Sequence, residues 1–398
     1  MTAKTRVFFL LSLLLITVIG TSHILTKIWG GKPEKLPNDI ELVLSPEMSL
    51  KEFGQKNNLP NLVLKKVFQL QQKQDLQKKL SETGIALADI ERKIKKAAAL
   101  EEEHQSKNWI KIPLKFGLWF LFLGVCFYRI RKAKIGSRTR KILYLVAVVL
   151  FGVILGADPG PMGTIKDAIA LYGTQGVIFP PRLVAMIVFL LLVLLANKFI
   201  CGWGCQLGTL QDLIFRLNRN KQDSKGILPQ FKPPFIVTNT LRIIFFFAFT
   251  LVAFAWAADI IDPVDPFKIF KPAMIKPLGW GFILGILLLS LFIYRPWCHC
   301  FCPFGLAGWF VEKISIFKVK VNYDTCVACQ ACTKTCPSTA MEAILKREKT
   351  IPDCFSCGSC IDVCPTGSVQ FRAGKRQKPP EGKFYIAKGE EDRDNALR

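Results

Sequence analysis

Six stretches of this chain are long and apolar enough to cross a bilayer, and they limit its fold more than any other feature. They cover residues 7–25, 110–128, 142–157, 183–200, 243–261 and 278–294. A helix needs about 20 apolar residues to cross a hydrocarbon core of ~30 Å. Its backbone must also satisfy its own hydrogen bonds there, which favours helices. The third run is the shortest at its apolar core. Composition agrees: 51% of the 398 residues are hydrophobic and the mean hydropathy is +0.30. The expectation is a mainly α membrane protein with about six transmembrane helices.

Basic loops orient such a bundle. The loop RIRKAKIGSRTRK carries Arg129, Arg131, Lys132, Lys134, Arg138, Arg140 and Lys141 and no acid. It is expected in the cytoplasm, as is the basic stretch from Arg216 to Arg242. The turns at Asp158–Pro159 and Asp262–Pro263 then face outward, where the aspartates break helices or handle protons. Both termini fall inside and residues 30–108 outside. Lys4 and Arg6 precede the first run, which is long for a cleaved signal and lacks an A-x-A site, so an uncleaved anchor is expected. The net charge of +24 comes from 54 basic and 30 acidic residues. Those residues fall in membrane loops and the tail and not on one amphipathic face, so nucleic acid is not an expected partner.

Fourteen cysteines follow a pattern. Cys326, Cys329, Cys332 and Cys336 in DTCVACQACTKTCPSTA have the spacing C-x2-C-x2-C-x3-C-P. Cys354, Cys357, Cys360 and Cys364 repeat it in DCFSCGSCIDVCPTGS. The first three cysteines of each cassette wrap three corners of a 4Fe-4S cube, and the fourth reaches the other cluster. Cluster one then takes Cys326, Cys329, Cys332 and Cys364. Cluster two takes Cys354, Cys357, Cys360 and Cys336. Pro337 and Pro365 turn the chain after the crossing ligands. Ala328, Ala331, Gly358 and Ser359 let backbone amides approach the sulfurs. Two zinc sites are the plainer alternative, and the doubled cassette argues against them. The carboxy-terminal unit is thus expected to be a bacterial-type α+β domain holding two 4Fe-4S clusters.

A second cysteine pattern lies in the membrane part. The fourth run ends in FICGWGCQLGTLQDLIF and the sixth in PWCHCFCPFGLAGWFVE, so Cys201 and Cys205 align with Cys298 and Cys302, and Gly208 with Gly305. Each unit also has an Asp-Pro turn. One helix pair used twice could bring four thiolates to one cluster or metal ion; the alternative is four thiols that only pack or exchange. Cys300 is a spare candidate, His299 reads as structural, and Cys126 as a small buried hydrophobe.

The boundaries that follow are an anchor at 1–29, an extracytoplasmic helical segment at 30–108, a membrane domain at 109–320, the two-cluster unit at 321–371 and a solvated tail at 372–398. In 30–108, Leu50, Leu59 and Leu64 recur 26 residues on as Leu76, Ile85 and Ile90. Two small helix–turn–helix units are expected, the second turning at Gly84. A coiled coil through Leu76, Leu80, Leu87, Ile90 and Ile94 is the alternative. His104 reads as a surface residue. Neither a nucleotide-binding glycine loop nor a nucleophile–base set stands out, so no catalytic residue is expected.

Membrane helices ending in two C-x3-C motifs ahead of a double cassette resemble the NapH/MauN-type membrane ferredoxins, and the membrane portion of NosR-type regulators is similar. The resemblance covers roughly residues 110–370. It implies a protein of the bacterial inner membrane that carries electrons between the quinone pool and a respiratory partner, with ferredoxin- or cytochrome-type redox subunits beside it and lipid around it. The other role it implies is maturation of a respiratory enzyme. Two departures stand out: Gln206 occupies the place of a family proline, and residues 30–108 are an addition without a flavin-attachment signal.

Overall fold

An apolar run closes its backbone hydrogen bonds most simply along its own axis, and helices cover most of each of the six runs. The computed structural model describes residues 2–28, 43–70, 72–83, 85–105, 107–220, 223–346 and 348–384. α1 (Ala3–Ile28) is followed by a small lobe: α2 (Leu50–Lys56), α3 (Asn61–Phe68), two 3-10 turns at Lys73–Gln77 and Leu80–Thr83, and α4 (Leu87–Gln105). The membrane part follows as α5 (Lys111–Arg131), α6 (Ser137–Ala147, running on as a π-helix to Ile154), α7 (Pro161–Gln175), α8 (Pro180–Ala196), α9 (Gln206–Leu217), α10 (Phe235–Ala255), α11 (Pro277–Leu289), α12 (Pro296–Cys300) and α13 (Pro303–Glu312). Among the described residues α1, α5 and α10 are long and apolar enough to cross a membrane, and α8 and α11 are apolar but shorter.

The fifth run begins earlier than expected, at Phe235 after Pro233 and Pro234, and takes in Arg242. Arg216 likewise lies inside α9. Both were read as loop charges. Both are instead fully buried and held by aspartates, so neither marks a loop.

The lobe has its own core, separate from the main one, built on Leu50, Phe53, Leu64 and Ile90. All six positions of the 26-residue recurrence contribute to it. The first helix–turn–helix forms, with Ser49 and Glu52 making a capping box. The second does not. Leu50 N bonds Lys78 O and Leu80 N bonds Met48 O, and this bridge holds the chain extended where a helix was expected. Gly84 lies outside the described residues.

The carboxy-terminal unit is tied at its two ends. β1 (Phe317–Val321) pairs antiparallel with β2 (Val369–Ala373), Phe317 facing Ala373 and Val321 facing Val369. Between them stand α14 (Ala331–Thr335), α15 (Ala340–Leu345) and α16 (Ser359–Asp362). Ile316 N donates to Leu194 O, so the sheet begins at the carboxy-terminal end of α8. Phe127 packs its ring against Phe199, Phe317 and Phe371, joining the sheet to α5. Residues 374–384, expected in a solvated tail, return to this unit: Arg376 bonds Val319 O, and Phe384 packs on Tyr323. Residues 385–398 lie outside the described residues.

Candidate metal centres

Each cassette turns on a left-handed residue just before its short helix, Gln330 before α14 and Gly358 before α16. Those turns bend the cysteines inward, and the sheet brings the two cassettes together. Cys326, Cys329 and Cys332 share one cavity with Cys364. Cys354, Cys357 and Cys360 share another with Cys336. The grouping is the crossed one that the spacing suggests. All of these cysteines are free thiols. Burial raises Cys332 to about 11 and Cys354 to about 12, so without metal they stay protonated. Cys364 goes the other way: burial raises it, but the amides of Val369, Thr366 and Ser368 and the Thr366 hydroxyl outweigh this and hold it below the ordinary thiol value. Among the described residues no three His, Cys, Asp or Glu side chains close on a single ion. Four thiols lining each cavity match the ligand count of a 4Fe-4S cluster.

The second cassette is seated on the membrane domain. Trp203 Nε1 donates to Ser356 O (3.1 Å), Arg140 Nε to Cys357 O (2.8 Å), and Arg216 Nη1 to Ser359 Oγ (3.2 Å). Gly202 lies against the Phe355 carbonyl so closely that any side chain there would overlap it. The seat is charged and dry. Asp353, one residue before Cys354, is fully buried between Lys198 and Arg242. Burial raises its carboxyl, but those two cations outweigh this and hold it well below the usual range.

The paired cysteines lie just beyond this seat. Cys201, Cys205, Cys298 and Cys302 are all buried. Arg295, from the second repeat, donates to Cys201 O (2.6 Å) and Gly202 O (3.0 Å) in the first. Lys198, from the first, donates to Gly305 O (2.8 Å) in the second. Each cation stands three residues before the first cysteine of its own repeat, a signal present in the sequence that motif reading passed over. Cys300 is only half-buried, and His299 faces Asp353 at 3.6 Å. Cys126 is fully buried, as expected of a small hydrophobe.

At the other end of α8 is a cavity of about 520 Å³. The two Asp-Pro turns meet here, with Asp158 paired to Lys271 and Asp262 to Lys268. Lys166 is held by Asp265 at 2.8 Å. α4 supplies one wall through Ala99, Glu102 and Glu103, and Arg182 bridges Glu103 (2.6 Å) and Asp167 (3.2 Å). The added lobe therefore roofs this cleft. The deep end reaches Met162, whose sulfur accepts from Trp297 Nε1 (3.3 Å) beside Cys298.

Comparison with known proteins covers these same parts. A family model described as a 4Fe-4S dicluster domain matches residues 318–381, and one described as a 4Fe-4S binding domain matches twice, at 178–225 and 277–322, once over each C-x3-C unit. YccM of Escherichia coli, named as an electron transport protein, is 29% identical over 161 residues, 38% of this chain and 45% of that protein. The methylamine utilization ferredoxin-type protein MauN of Methylorubrum extorquens is 27% identical over 156 residues, 38% of this chain and 52% of that one. The ferredoxin-type protein NapH of Haemophilus influenzae is 27% identical over 202 residues, 49% and 63%. The matched stretch thus spans about half the length of these relatives. No solved structure matches the chain. With both membrane cysteine units and the double cassette matched, this chain is similar to the NapH/MauN-type ferredoxins and carries iron–sulfur domains of the same kind.

Proposed function

We propose that this protein carries electrons between the quinone pool of a bacterial inner membrane and a respiratory redox partner. The observation that carries the reading is the seat of the second cassette on the inner ends of apolar helices, with the first cassette beyond it and Cys329 exposed. Cys326, Cys329, Cys332 and Cys364 would hold one 4Fe-4S cluster, and Cys336, Cys354, Cys357 and Cys360 the other. Bound clusters supply one-electron steps. The chain holds their sulfurs, donates amides to them and keeps water from the inner one.

The six-span arrangement has support beyond the three long helices. α8 exposes Val184, Ile187, Leu191 and Leu195, and α10 exposes Val237, Leu241, Ile244 and Leu251, each as one apolar stripe. Stripes of that extent suit lipid. Both termini and the two-cluster unit would face the cytoplasm, on the side of the basic loop 129–141.

The cleft roofed by α4 is the proposed quinol site. Exposed Trp256 directly precedes Ala257 of its lining, as expected at a membrane interface. Its floor leads through Met162 and Trp297 toward the paired cysteines. A quinol there gives up two electrons and two protons, and the carboxylates of Asp259 and Asp265, which line the cleft, are placed to accept the protons. The test is a photoreactive quinone analogue applied to the full chain in lipid nanodiscs. The expected result is saturable labelling of residues 157–171 or 257–276 that added quinol competes away. Labelling that does not saturate would remove the quinone link.

A further inference from the structure

Behind the lining of the outer cleft stands a buried side-chain amide with a free acceptor. We infer that Gln206 is the polar contact of the quinol headgroup, its side-chain amide accepting a hydrogen bond from a quinol hydroxyl at the deep end of the cleft. The inference rests on the quinol reading of that cleft and adds the residue that selects headgroups carrying a free hydroxyl.

The two repeats show that the helix start does not need a glutamine. Cys205 aligns with Cys302, so Gln206 aligns with Pro303. Both are the first residue of a helix, α9 and α13. The cysteines before them have nearly the same backbone (φ −81°, ψ 116° and φ −70°, ψ 117°). Proline suits that position: its fixed φ fits the helix, and the amide proton it lacks would have no intrahelical partner. Glutamine gives up this fit, and α9 starts the same way without it. What residue 206 adds is in its side chain.

That side chain is incompletely bonded. Gln206 is 2% exposed, and its Oε1 has no hydrogen-bond partner. Its backbone carbonyl, by contrast, accepts from Thr209 Oγ1 at 3.0 Å. A buried acceptor without a donor costs stability, and such groups are rare in folded proteins. A ligand that donates a hydrogen bond completes this one.

The amide is placed to meet such a ligand. Ala157, Gly160, Met162 and Phe267 line the cleft. A Cβ built on Gly160 would lie 3.7 Å from Gln206 Oε1, 3.0 Å from Ala157 O and 3.8 Å from the Phe267 ring. Gln206 therefore stands directly behind the lining at Gly160. The backbone of Gly160 has φ −130°, which any residue adopts, so its conformation does not call for glycine. The missing side chain leaves a gap, and rotation about the last bond of Gln206 turns its amide into it. Phe267 and Met162 are the apolar neighbours of that gap and suit a flat ring. The charged groups of the cleft are already engaged with one another: Asp158 with Lys271, Asp262 with Lys268, Lys166 with Asp265, and Arg182 with Glu103.

An amide also serves both states of the ligand. Its oxygen accepts from the quinol O–H. Oxidation removes two electrons and two protons, the protons passing to Asp259 and Asp265 and the electrons inward to the iron–sulfur centres. The product carbonyl has no proton to give, and the amide turned over offers it Nε2–H. Gln206 itself exchanges no proton. Proline at this position could do neither.

The test is anaerobic displacement of the photoreactive quinone analogue from the full chain in nanodiscs. The competitors are a quinol and its dimethyl ether, which keeps the ring and has no hydroxyl to donate. The readout is the ratio of their affinities, which a general loosening of the cleft does not move. The native chain should prefer the quinol. Gln206→Leu should shrink that preference about fivefold, the worth of one neutral hydrogen bond. Gln206→Glu keeps an acceptor oxygen and should hold the preference near native. A ratio unchanged in Gln206→Leu overturns the inference and leaves the quinol site standing. Where the leucine variant does not fold, Gln206→Pro, the residue of the second repeat, replaces it with the same expected loss and the same overturning result. A native chain in which neither competitor displaces the probe removes the quinol reading and this inference with it.

Discussion

Gly202→Ala tests whether the second cassette sits on the membrane cysteine loop. An added methyl would overlap the Phe355 carbonyl oxygen. That atom is backbone, so it cannot rotate aside, and the cassette loop must withdraw. Overpacking of this kind costs about 1–3 kcal/mol. Withdrawal also weakens the Trp203–Ser356 hydrogen bond, worth about 1 kcal/mol net. The total is about 2–4 kcal/mol, which raises the open population of the cassette roughly 30- to 700-fold. Hydrogen exchange in nanodiscs reads that population directly at the amides of Ile361, Asp362 and Val363, which close α16. Gly285→Ala is the control, since nothing lies within 4 Å of the added carbon. Exchange at residues 361–363 should rise by one to three orders of magnitude in the first variant and stay unchanged in the second. Equal protection in both would refute the docking of this loop on Gly202.

Three further outcomes are expected. Cys364→Ser should remove the cluster of the first cassette although it lies in the second, and Cys336→Ser should do the reverse, as resolved by EPR of the two signals. Asp353→Asn strands Lys198 and Arg242 without a carboxylate and should cost about 3–5 kcal/mol, seen as a lowered thermal midpoint in detergent. Glu312 is raised to about 8, mainly by burial, against the pull of Lys198. Its contribution to stability is therefore complete below its unfolded value of 4.5 and is lost as pH rises through 8. Glu312→Gln should be close to native at pH 5 and more stable than native at pH 9, by a few kcal/mol, when thermal midpoints are compared.

The apolar runs and the cassettes were legible because each obeys a local rule: hydrocarbon thickness for one, ligand spacing for the other. The charges inside the bundle were not. Arg242 reads as a loop residue because a lone cation carries no sign of a partner in another segment, whereas Arg216 has Asp212 four residues before it on the same helix, a pairing that the basic count of the stretch hid. Asp353 is 111 residues from Arg242, and Asp223 reaches both Arg140 and Arg216. α7 went unread for the same reason: Lys166 and Asp167 interrupt its apolar character, and Asp265 and Arg182 neutralise them from afar. In the lobe, the six recurrent leucines and isoleucines correctly marked the core. The recurrence could not foretell that the Ser49–Lys79 bridge would interrupt the first helix of one copy, leaving 3-10 turns on either side. The duplicated C-x3-C units were visible as a pattern. Their cross-bracing by Lys198 and Arg295 belongs to the folded chain alone.

The central claim is that electrons pass between a membrane-soluble quinol and the two-cluster unit through this chain. The most direct measurement is EPR of the anaerobic full-length protein in lipid nanodiscs, before and after a reduced quinol is added. The account expects cluster signals that grow with quinol and fail to grow when Met162→Trp fills the deep end of the cleft. Clusters that dithionite reduces but quinol leaves untouched would contradict it.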